Sequence, residues 1–405
     1  MKMRVYVAPC GMGLGHITRT APIADELNRR GSTTVFSTYT DGLDYAKRKH
    51  LPTYEAVPIG FQVTSDGTID FKMTAATNGF SLGIRTLLRQ VILEMKYMKT
   101  FKPDVVFSDS RASSLLAARL LHIPVVLMLN QFRIEIIKRP STRRVSLLDK
   151  IFFTIANIGW LFIRTSVEIV WGLSKVILIP DLPSPYTICL GNLGIPRRFN
   201  HKVKLIGPIV ENHYEPVKDL TGLRRRLCIE SNKPLIYAAI SGPKVERSIL
   251  TKILLNSMQP LSSEYNVVLS CGNPNGNRDP RISNGLTVYD WIENQNDFIR
   301  AADLVISRAG HGTIMKSMVY GKPMILIPIP DHTEQYANAR RATILHVAEM
   351  MDQHKLSEES LEAAIRKILD NEHYHMNAAE IREKGRLSDA VNLACDTLQT
   401  VSGNR

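Results

Sequence analysis

A glycine-rich turn near the start of the chain has the residue types of an anion-binding site. Gly11-Met12-Gly13-Leu14-Gly15-His16 follows a short apolar run and precedes a helical pattern over Ile17–Arg30. Glycines let a ligand approach the backbone closely, and a helix N-terminus offers unpaired N–H groups. His16 stands where the dinucleotide fingerprint G-x-G-x-x-G would place its third glycine. A histidine at this turn can act as a general base, and Arg19, one helical turn later, could reach the same anion.

A second set of glycine and polar residues follows two apolar runs in the C-terminal half. Leu304–Ser307 leads into Arg308-Ala309-Gly310-His311-Gly312-Thr313, and Met324–Pro328 leads into a polar loop that reaches Glu334-Gln335. The glycines and Thr313 open a predicted helix whose N–H groups suit a diphosphate. Glu334 and Gln335 begin the next predicted helix and offer acceptors and donors that suit sugar hydroxyls. Two successive strand ends would therefore present polar groups to one cleft.

The elements that must position these residues are short apolar runs of β type alternating with longer helical stretches, which predicts parallel sheets with crossover helices. In the first half the predicted strands are Arg4–Ala8, Thr33–Ser37, Val105–Ser108, Val125–Leu129 and Val176–Pro180. In the second half they are Leu235–Ile240, Val267–Ser270, Leu286–Tyr289, Leu304–Ser307 and Met324–Pro328. Each half is thus expected to form its own doubly wound α/β domain, with ligands at the carboxyl ends of its strands.

Prolines mark the boundary between the two halves. Residues 181–232 contain five of them, at positions 183, 185, 196, 208 and 216, and this indicates a linker or hinge. We predict an N-terminal domain over 1–185, a linker over 186–232, a C-terminal domain over 233–385, and a C-terminal helix or tail over 386–405. The two domains are expected to face each other across a cleft.

Positive charge is concentrated in the N-terminal half. Of the net charge of +13, residues 1–185 contribute 24 Lys/Arg against 14 Asp/Glu, whereas residues 186–405 contribute 27 against 24. A basic half suggests an anionic partner, either nucleic acid or a membrane surface. Aromatic and basic residues are not interleaved in a recognisable RNA-binding motif, and this argues against a nucleic-acid binder.

An uncharged segment over 151–163 follows a basic run in the same half. Its thirteen residues are too few to span a bilayer, which needs about 20. One interpretation is a helix buried in the core or in a homodimer interface. The other, which the neighbouring positive charge favours, is a membrane-surface element. Under that hypothesis the membrane contacts are Arg143, Arg144, Phe152, Phe153, Trp160 and Trp171.

Taken together, these motifs resemble the two-domain nucleotide-sugar glycosyltransferases of the GT-B fold, specifically the MurG-like group of glycosyltransferase family 28 type. That group is related to the eukaryotic enzyme that adds the second N-acetylglucosamine (GlcNAc) to a dolichol-linked precursor. The resemblance covers most of the chain. It includes the N-terminal glycine turn with its histidine, the segments 103–109 and 122–126, and the block 303–338, which is the most specific part.

The resemblance implies a role for each motif. Ser241 and Gly242 would belong to the loop for the donor diphosphate, and the backbone near Asp290, Trp291 and Ile292 would contact the base. The residues lining the diphosphate and ribose would be Arg308, Gly310, His311, Gly312 and Thr313. Glu334 and Gln335 would hold the donor sugar. The acceptor side would comprise Gly13, Gly15, His16, Arg19 and Asp109.

Two positions depart from the family pattern. The helix after Gly312 usually carries a glutamate that accepts bonds from the ribose hydroxyls, and Lys316 stands at that register without an acceptor. The tract Met128-Leu129-Asn130-Gln131 replaces the family's His-Glu-Gln-Asn and lacks its carboxylate. The identity of the donor base is therefore open.

The resemblance implies transfer of a sugar, with GlcNAc favoured, from a nucleotide sugar, with a UDP-sugar favoured. The acceptor would be a polyprenol- or dolichol-linked lipid on the cytoplasmic face of the membrane, to which the protein would bind peripherally. His16 would deprotonate a hydroxyl acceptor. No D-x-D pair occurs, and backbone dipoles can neutralise a diphosphate, so we expect no metal and no other cofactor.

Two alternative functions fit parts of the sequence. A nucleotide-sugar epimerase or hydrolase would keep the donor site and dispense with the lipid, and a basic nucleic-acid-binding protein would account for the charge. The five cysteines contain no C-x-x-C pair, which favours a reducing compartment over a disulfide scaffold or a zinc knuckle.

Overall fold

The ten expected strands form, each with ends within two residues of the expected ones, and four shorter strands complete two seven-stranded sheets. The protein is seen here in a computed structural model. It describes residues 2–58, 80–132, 165–210, 217, 219–230, 232–242, 244–283, 285–330, 332–385 and 389–403. The central strands are buried on both faces, which explains why they are continuous apolar runs in the sequence.

The N-terminal sheet is parallel and has the strand order β3-β2-β1-β4-β5-β6-β7. Its strands are β1 Arg4–Pro9, β2 Thr33–Thr38, β3 Thr53–Glu55, β4 Val105–Asp109, β5 Val125–Met128, β6 Val176–Ile179 and β7 Val203–Leu205. The expected linker over 186–232 needs correction at β7. That segment pairs with β6 and forms the edge of the sheet, so the first domain extends beyond residue 185.

The C-terminal sheet has the strand order β10-β11-β9-β8-β12-β13-β14 and is parallel except for its edge strand β10. Its strands are β8 Leu235–Ala239, β9 Asn266–Ser270, β10 Arg281–Ser283, β11 Leu286–Tyr289, β12 Leu304–Ser307, β13 Met324–Leu326 and β14 Ala348–Met350. With the first sheet this gives the expected pair of Rossmann-like α/β domains.

Helices cover both sheets. In the first half they are α1 Gly15–Arg29, α2 Thr40–Arg48, α3 Phe80–Phe101, α4 Ala112–Leu120 and α5 Leu190–Leu193, and residues 165–172 are also helical. In the second half they are α6 Leu220–Arg226, α7 Lys244–Met258, α8 Gln295–Ala301, α9 His311–Val319, α10 Thr333–Ile344, α11 Glu358–Leu369, α12 Glu372–Gly385 and α13 Ala390–Gly403. Short 3-10 helices lie at Arg197–Lys202, Pro260–Ser263 and Gln353–Lys355.

The last helix returns to the first domain. α13 packs against α1, and its buried residues Ala394, Cys395 and Leu398 belong to the same core cluster as Ile23 and Leu27 of that helix. Arg30 adds hydrogen bonds to Asp396 and Gln399. The segment expected as a C-terminal helix or tail therefore completes the N-terminal domain.

Strand order brings the candidate residues together. β1, β4 and β5 are neighbours, so their carboxyl ends place the turn at His16, Asp109 and Asn130 side by side. In the other sheet β8, β12 and β13 are neighbours, and their carboxyl ends lead to the loop at Gly242, the N-terminus of α9 and the loop before Glu334. Chemistry at the carboxyl ends of parallel strands is the rule for open α/β sheets.

The structure describes only one of the six residues expected to contact the membrane. Arg143, Arg144, Phe152, Phe153 and Trp160 lie outside the described residues. Trp171 is described, and its assignment to membrane contact is wrong. Its side chain is 5% exposed and packs in the core of the N-terminal domain, because the helix at residues 165–172 turns this face toward the sheet.

Candidate active site

The N-terminal side of the cleft holds a chain of hydrogen bonds that starts at His16. The Nδ1 atom of His16 lies 2.9 Å from Oδ1 of Asp109. Arg19 donates from Nε to Oδ2 of the same carboxylate at 2.6 Å and from Nη2 to Oδ1 at 2.5 Å. Its Nη1 also donates to Oδ1 of Asn130 at 3.3 Å. The carboxylate thus fixes both the histidine ring and the guanidinium, and the His16 side chain keeps 25% exposure.

Asp109 stays ionised in this arrangement although it is fully buried. Burial raises the pKa of its carboxyl, but the charge of Arg19 and the hydrogen bonds from Arg19 and His16 outweigh that effect and hold the pKa well below its usual range. A carboxylate accepts hydrogen bonds and cannot donate, so the proton in the contact sits on Nδ1 of His16. The Nε2 atom of the neutral ring is then the acceptor, as a general base requires.

The C-terminal side of the cleft offers open backbone. Gly310 caps the N-terminus of α9, and side chains added at Gly310 or Gly312 would meet no atom within 4 Å. The same holds for Gly13 and Gly15 at the start of α1. Gly242 has a φ of +117°, a conformation that only glycine adopts readily. Both halves of the cleft therefore present helix starts with space in front of them.

Three side chains expected to touch the donor are buried and bonded inside the protein. Arg308 is 1% exposed and donates from Nη1 to the carbonyls of Ile327 and Pro328 and from Nη2 to that of Glu246. It therefore joins the loops behind the predicted diphosphate site and does not line it. Burial lowers the pKa of Arg308 to about 10, against the charge of Glu246.

His311 and Gln335 also need correction. The Nε2 atom of His311 lies 3.0 Å from Oδ2 of Asp181, and the ring is 5% exposed. Gln335 is 8% exposed, and its Oε1 accepts a hydrogen bond from the amide of Ile329 at 2.9 Å. Both side chains hold the predicted donor loops in place, whereas Ser241 and Thr313 remain half-buried beside the cleft.

Glu334 connects the two domains. Its Oε1 accepts a hydrogen bond from Nδ2 of Asn130 at 2.5 Å, so the chain of contacts that begins at His16 crosses the cleft. Asn192 reaches the Glu334 carbonyl at 3.4 Å and bonds Asn338 at 2.9 Å. A carboxylate that can accept bonds from sugar hydroxyls thus stands opposite the candidate base, with one asparagine between them.

The edge expected to hold the base also contacts the other domain. Asp290 pairs with Arg281 at 2.5 Å, and burial does not outweigh that pairing, so the pKa of its carboxyl is lowered. The indole ring of Trp291 is 6% exposed and lies 4.9 Å from the Arg48 guanidinium of α2. The loop after β11 is therefore in direct contact with the N-terminal domain.

Sequence analysis did not single out Asn130, Arg48, Asp181 or Glu246 as site residues. Asn130 follows β5 next to β4, so its place at a strand end was a usable signal. The other three carry no local pattern. Arg48 ends an ordinary amphipathic helix. Asp181 contacts His311, and the Glu246 carbonyl contacts Arg308, each more than 60 positions away in the sequence.

One group among the described residues has atoms spaced as metal ligands, namely Asp181, Cys189 and His311. Asp181 already accepts bonds from the backbone amides of Leu182, Ile188 and Cys189 as well as from His311. Burial raises the pKa of the Cys189 thiol well above its ordinary value, which opposes the thiolate that a metal needs. The contacts of Asp181 therefore link the end of β6 to the start of α9.

These features define the class of the protein. Two Rossmann-like domains with glycine-rich strand ends facing one cleft are the GT-B fold, and the chain is a glycosyltransferase. Its C-terminal half carries a glycosyltransferase family 28 C-terminal domain, whose family model matches residues 243–393. A second model, described as glycosyl transferase family 1, matches residues 3–153.

Individual proteins agree with this classification. An uncharacterized glycosyltransferase of Methanosarcina mazei is 27% identical over 411 residues and covers all of both chains. A UDP-N-acetylglucosamine--N-acetylmuramyl-(pentapeptide) pyrophosphoryl-undecaprenol N-acetylglucosamine transferase of Clostridium botulinum is 22% identical, over 93% of this chain and 94% of its own. The crystal structure of Acinetobacter baumannii MurG superposes with a TM-score of 0.59 at 19% identity, covering 98% and 99% of the two chains.

Proposed function

We propose that this glycosyltransferase moves a sugar, with GlcNAc favoured, from a nucleotide sugar to a lipid-linked acceptor. The observation that carries the proposal is the bonded chain His16–Asp109–Arg19–Asn130–Glu334, which spans the cleft from a candidate base to a candidate sugar-binding carboxylate. The C. botulinum relative, named as an N-acetylglucosamine transferase that acts on a pyrophosphoryl-undecaprenol acceptor, supports the choice of sugar and of a polyprenyl acceptor. UDP is the favoured nucleotide on the same ground.

In the proposed reaction the acceptor hydroxyl attacks the anomeric carbon, its proton passes to Nε2 of His16, and the bond to the nucleoside diphosphate breaks. Asp109 stabilises the imidazolium that forms, because it is ionised and bonded to Nδ1. If the acceptor is a lipid phosphate it is already ionised, and His16 then orients it. General-base catalysis of this kind contributes about 10²- to 10⁴-fold to a rate.

The leaving diphosphate would lie against the N-terminus of α9 and the loop at Gly242. Helix N-terminal N–H groups and the helix dipole stabilise negative charge there, and the open space before Gly310 and Gly312 leaves room for phosphate oxygens. Such preorganised donors stabilise developing charge without a metal. We therefore propose a metal-independent transfer, in which magnesium chelation leaves the rate unchanged.

A basic and apolar face of α3 supports a membrane-bound acceptor. Leu88 and Ile92 are 55% and 67% exposed on one side of this helix, and Glu94 on the opposite side is buried. The face is completed by the exposed cations Arg85, Arg89, Lys96 and Lys99. Apolar side chains flanked by Lys and Arg are typical of a helix that lies on an anionic bilayer. None of the described helices has the length and apolarity needed to cross a membrane. We propose peripheral attachment at the cytoplasmic face.

A radiolabelled-donor assay with membrane lipid extract tests the reaction. Wild type should transfer label from a nucleotide sugar to extractable lipid, and His16→Ala and Glu334→Ala should reduce the rate about 100-fold or more. Glu383→Ala, an exposed position on α12, is the matched control and should keep the rate. Turnover of the donor without acceptor, by release or by epimerisation of its sugar, would favour a hydrolase or epimerase. Wild-type rates in both variants would contradict the site assignment.

Flotation with vesicles of anionic lipid tests the membrane part separately. Ile92→Glu places a negative charge at the centre of the α3 face and should move the protein from the vesicle fraction to the soluble fraction. Ile282→Glu, at a position 73% exposed on β10 of the other domain, should still float. A wild-type protein that stays soluble at low salt would remove the membrane from the proposal and leave the reaction untouched.

A further inference from the structure

A cavity of about 210 Å³ lies between the two domains at the edge of the C-terminal sheet. Tyr45, Arg48 and Lys49 line it from the α2 side, and Trp291 and Glu293 line it from the loop after β11. That loop is the one expected to contact the donor base. The cavity therefore adjoins the base position and is completed by residues of the opposite domain.

Arg48 is incompletely bonded in this cavity. Its Nε donates to the Asp44 carbonyl at 3.2 Å, its Nη1 donates to the Pro274 carbonyl across the cleft, and its guanidinium stacks over Trp291. Its Nη2 is buried and has no hydrogen-bond partner among the described residues. A buried donor without a partner is destabilising, so a ligand atom that accepts a hydrogen bond from Nη2 would be favoured.

The neighbouring charges do not satisfy Arg48. Lys49 pairs with Glu293 at 3.5 Å, and Arg278 approaches the same carboxylate at 3.2 Å. One carboxylate is thus shared by two other cations. Burial lowers the pKa of Arg48, and the charges of Glu293 and Asp44 oppose that shift without cancelling it. The cavity consequently favours a ligand with a hydrogen-bond acceptor for Nη2 of Arg48. A neutral carbonyl oxygen is such an acceptor and adds no charge to the cavity.

Resting on the proposed function, we propose that Arg48 determines the donor base, its Nη2 donating to a keto oxygen of a nucleobase held between α2 and the loop after β11. Uracil, thymine and guanine carry a keto oxygen at the position where cytosine and adenine carry an amino group. An amino group would face the guanidinium donor to donor. The enzyme would therefore select keto-base nucleotide sugars, and it would do so with a residue of the acceptor domain.

This assignment couples base selection to the position of the domains. The guanidinium reaches the loop after β11 only while α2 and that loop are in contact. Arg48 would therefore contact the base only when the cleft is closed. Closure of a cleft over a bound donor is a common way for a transferase to exclude water. The correct base would then favour the closed form that brings His16 and Glu334 together.

Equilibrium binding of UDP, CDP, GDP and ADP by calorimetry tests the proposal. Wild type should bind one keto nucleotide at least about tenfold more tightly than the amino nucleotide of matching ring size. Arg48→Met removes the guanidinium and keeps an unbranched apolar side chain. It should weaken only the keto nucleotide, by about tenfold, so that the keto and amino nucleotides bind equally. Lys47→Met removes an exposed cation of the same helix that lies outside the cavity and pairs with Glu55, and it should keep the discrimination.

The outcomes separate this proposal from the one on which it rests. Tight binding of keto and amino nucleotides alike by wild type would overturn the role of Arg48 and leave the transferase proposal standing. An equal loss for all four nucleotides in Arg48→Met would reduce Arg48 to a contact between domains and overturn base selection. Failure of every nucleotide to bind wild type would overturn both. Thermal unfolding of each variant shows whether it is folded.

Discussion

The side chains at the centre of the cleft form one connected set, and the contribution of each depends on its neighbour. Asp109 holds the Nδ1 atom of His16 at 2.9 Å and also binds Arg19, so the ring orientation and the position of Asn130 have a common origin. A base that acts through Nε2 needs the proton on Nδ1, and an ionised acceptor at that atom is what secures it.

Asp109→Asn should therefore lower the transfer rate by about 100-fold or more. An amide can present its NH₂ to Nδ1, which would leave the ring with the wrong tautomer for base catalysis. The measurement is the initial rate of lipid glycosylation at saturating donor. Glu26→Gln on α1, the helix of His16 and Arg19, breaks the pairs with Arg29 and Arg30 and should keep the rate. A rate for Asp109→Asn near that of wild type would show that His16 is not the base.

Asn130→Ala should strengthen binding of the nucleotide sugar, by up to about tenfold. Oε1 of Glu334 already accepts a hydrogen bond from Asn130 at 2.5 Å, so a sugar hydroxyl at that oxygen would compete with the amide. The comparison is the dissociation constant of the donor identified in the lipid assay against that of the free nucleoside diphosphate. The second ligand has no sugar and should bind both proteins equally. Weaker donor binding in Asn130→Ala would mean that the amide itself contacts the sugar.

The sequence motifs predicted which residues lie at the cleft better than they predicted which of those side chains face it. His16, Asp109 and Glu334 follow predicted strands and lie at the cleft. Their position could be predicted because the end of an apolar run in the sequence marks the carboxyl end of a parallel strand. Arg308, His311 and Gln335 follow strands too, but their side chains are buried beneath the loops. Whether a polar residue at a strand end faces the ligand or supports the loop depends on partners distant in sequence, such as Asp181 for His311.

Among the elements, the start of α7 contains a buried carboxyl with an altered proton affinity. Glu246 is 1% exposed, its Oε2 has no hydrogen-bond partner among the described residues, and this atom would lie 3.4 Å from a side chain added at Gly242. Burial raises the pKa of Glu246 from 4.5 to about 7, and the charge of Arg308 opposes the rise. Helix α7, which follows the loop at Gly242, thus contains a carboxyl whose pKa is raised to about 7.

Glu246 should make folding stability fall as the pH rises. Its folded pKa lies above its unfolded value, so the native state binds more protons between about pH 4.5 and 7, and stability decreases with pH through that window. Unfolding in urea at pH 5 and pH 8 should show a wild-type loss on the order of 3 kcal/mol that Glu246→Gln lacks. Exposed Glu230→Gln should behave as wild type. An identical pH dependence in Glu246→Gln would assign the loss to other groups.

Elements with a strong pattern were predictable and short edge strands were not. The central strands are apolar on both faces, and this gives them unbroken runs. β3, β7, β10 and β14 have three residues each, with exposed or half-buried positions that produce no run. They form because an existing sheet edge offers them hydrogen-bond partners, and β7 does so inside a segment whose prolines indicated a linker.

In the whole molecule, the most consequential contact that the sequence did not predict is that of α13 with the first domain. Helix α13 and helix α1 are separated by more than 350 residues. A local sequence pattern predicts an apolar helix face but does not indicate which surface that face will cover. The result is a chain that leaves the N-terminal domain once and returns to it, so that two covalent connections cross between the domains. Closure of the cleft must occur with both connections in place.

The return of α13 predicts that a core position in the last helix controls the stability of the first domain. Leu398 is fully buried in the cluster that contains Ile23 and Leu27, and Leu398→Ala should cost about 2 to 5 kcal/mol because it removes buried methyl groups and leaves a cavity. Leu393→Ala, on the same helix at 46% exposure, should cost well under half of that and reports the change in helix propensity alone. Hydrogen exchange followed by peptide should show the extra opening of Leu398→Ala in β1, α1 and β2, far along the chain from the substitution. If the opening were confined to the C-terminal sheet, α13 would be packing on the second domain in solution, and the His16 side of the cleft would have to be stabilised without it.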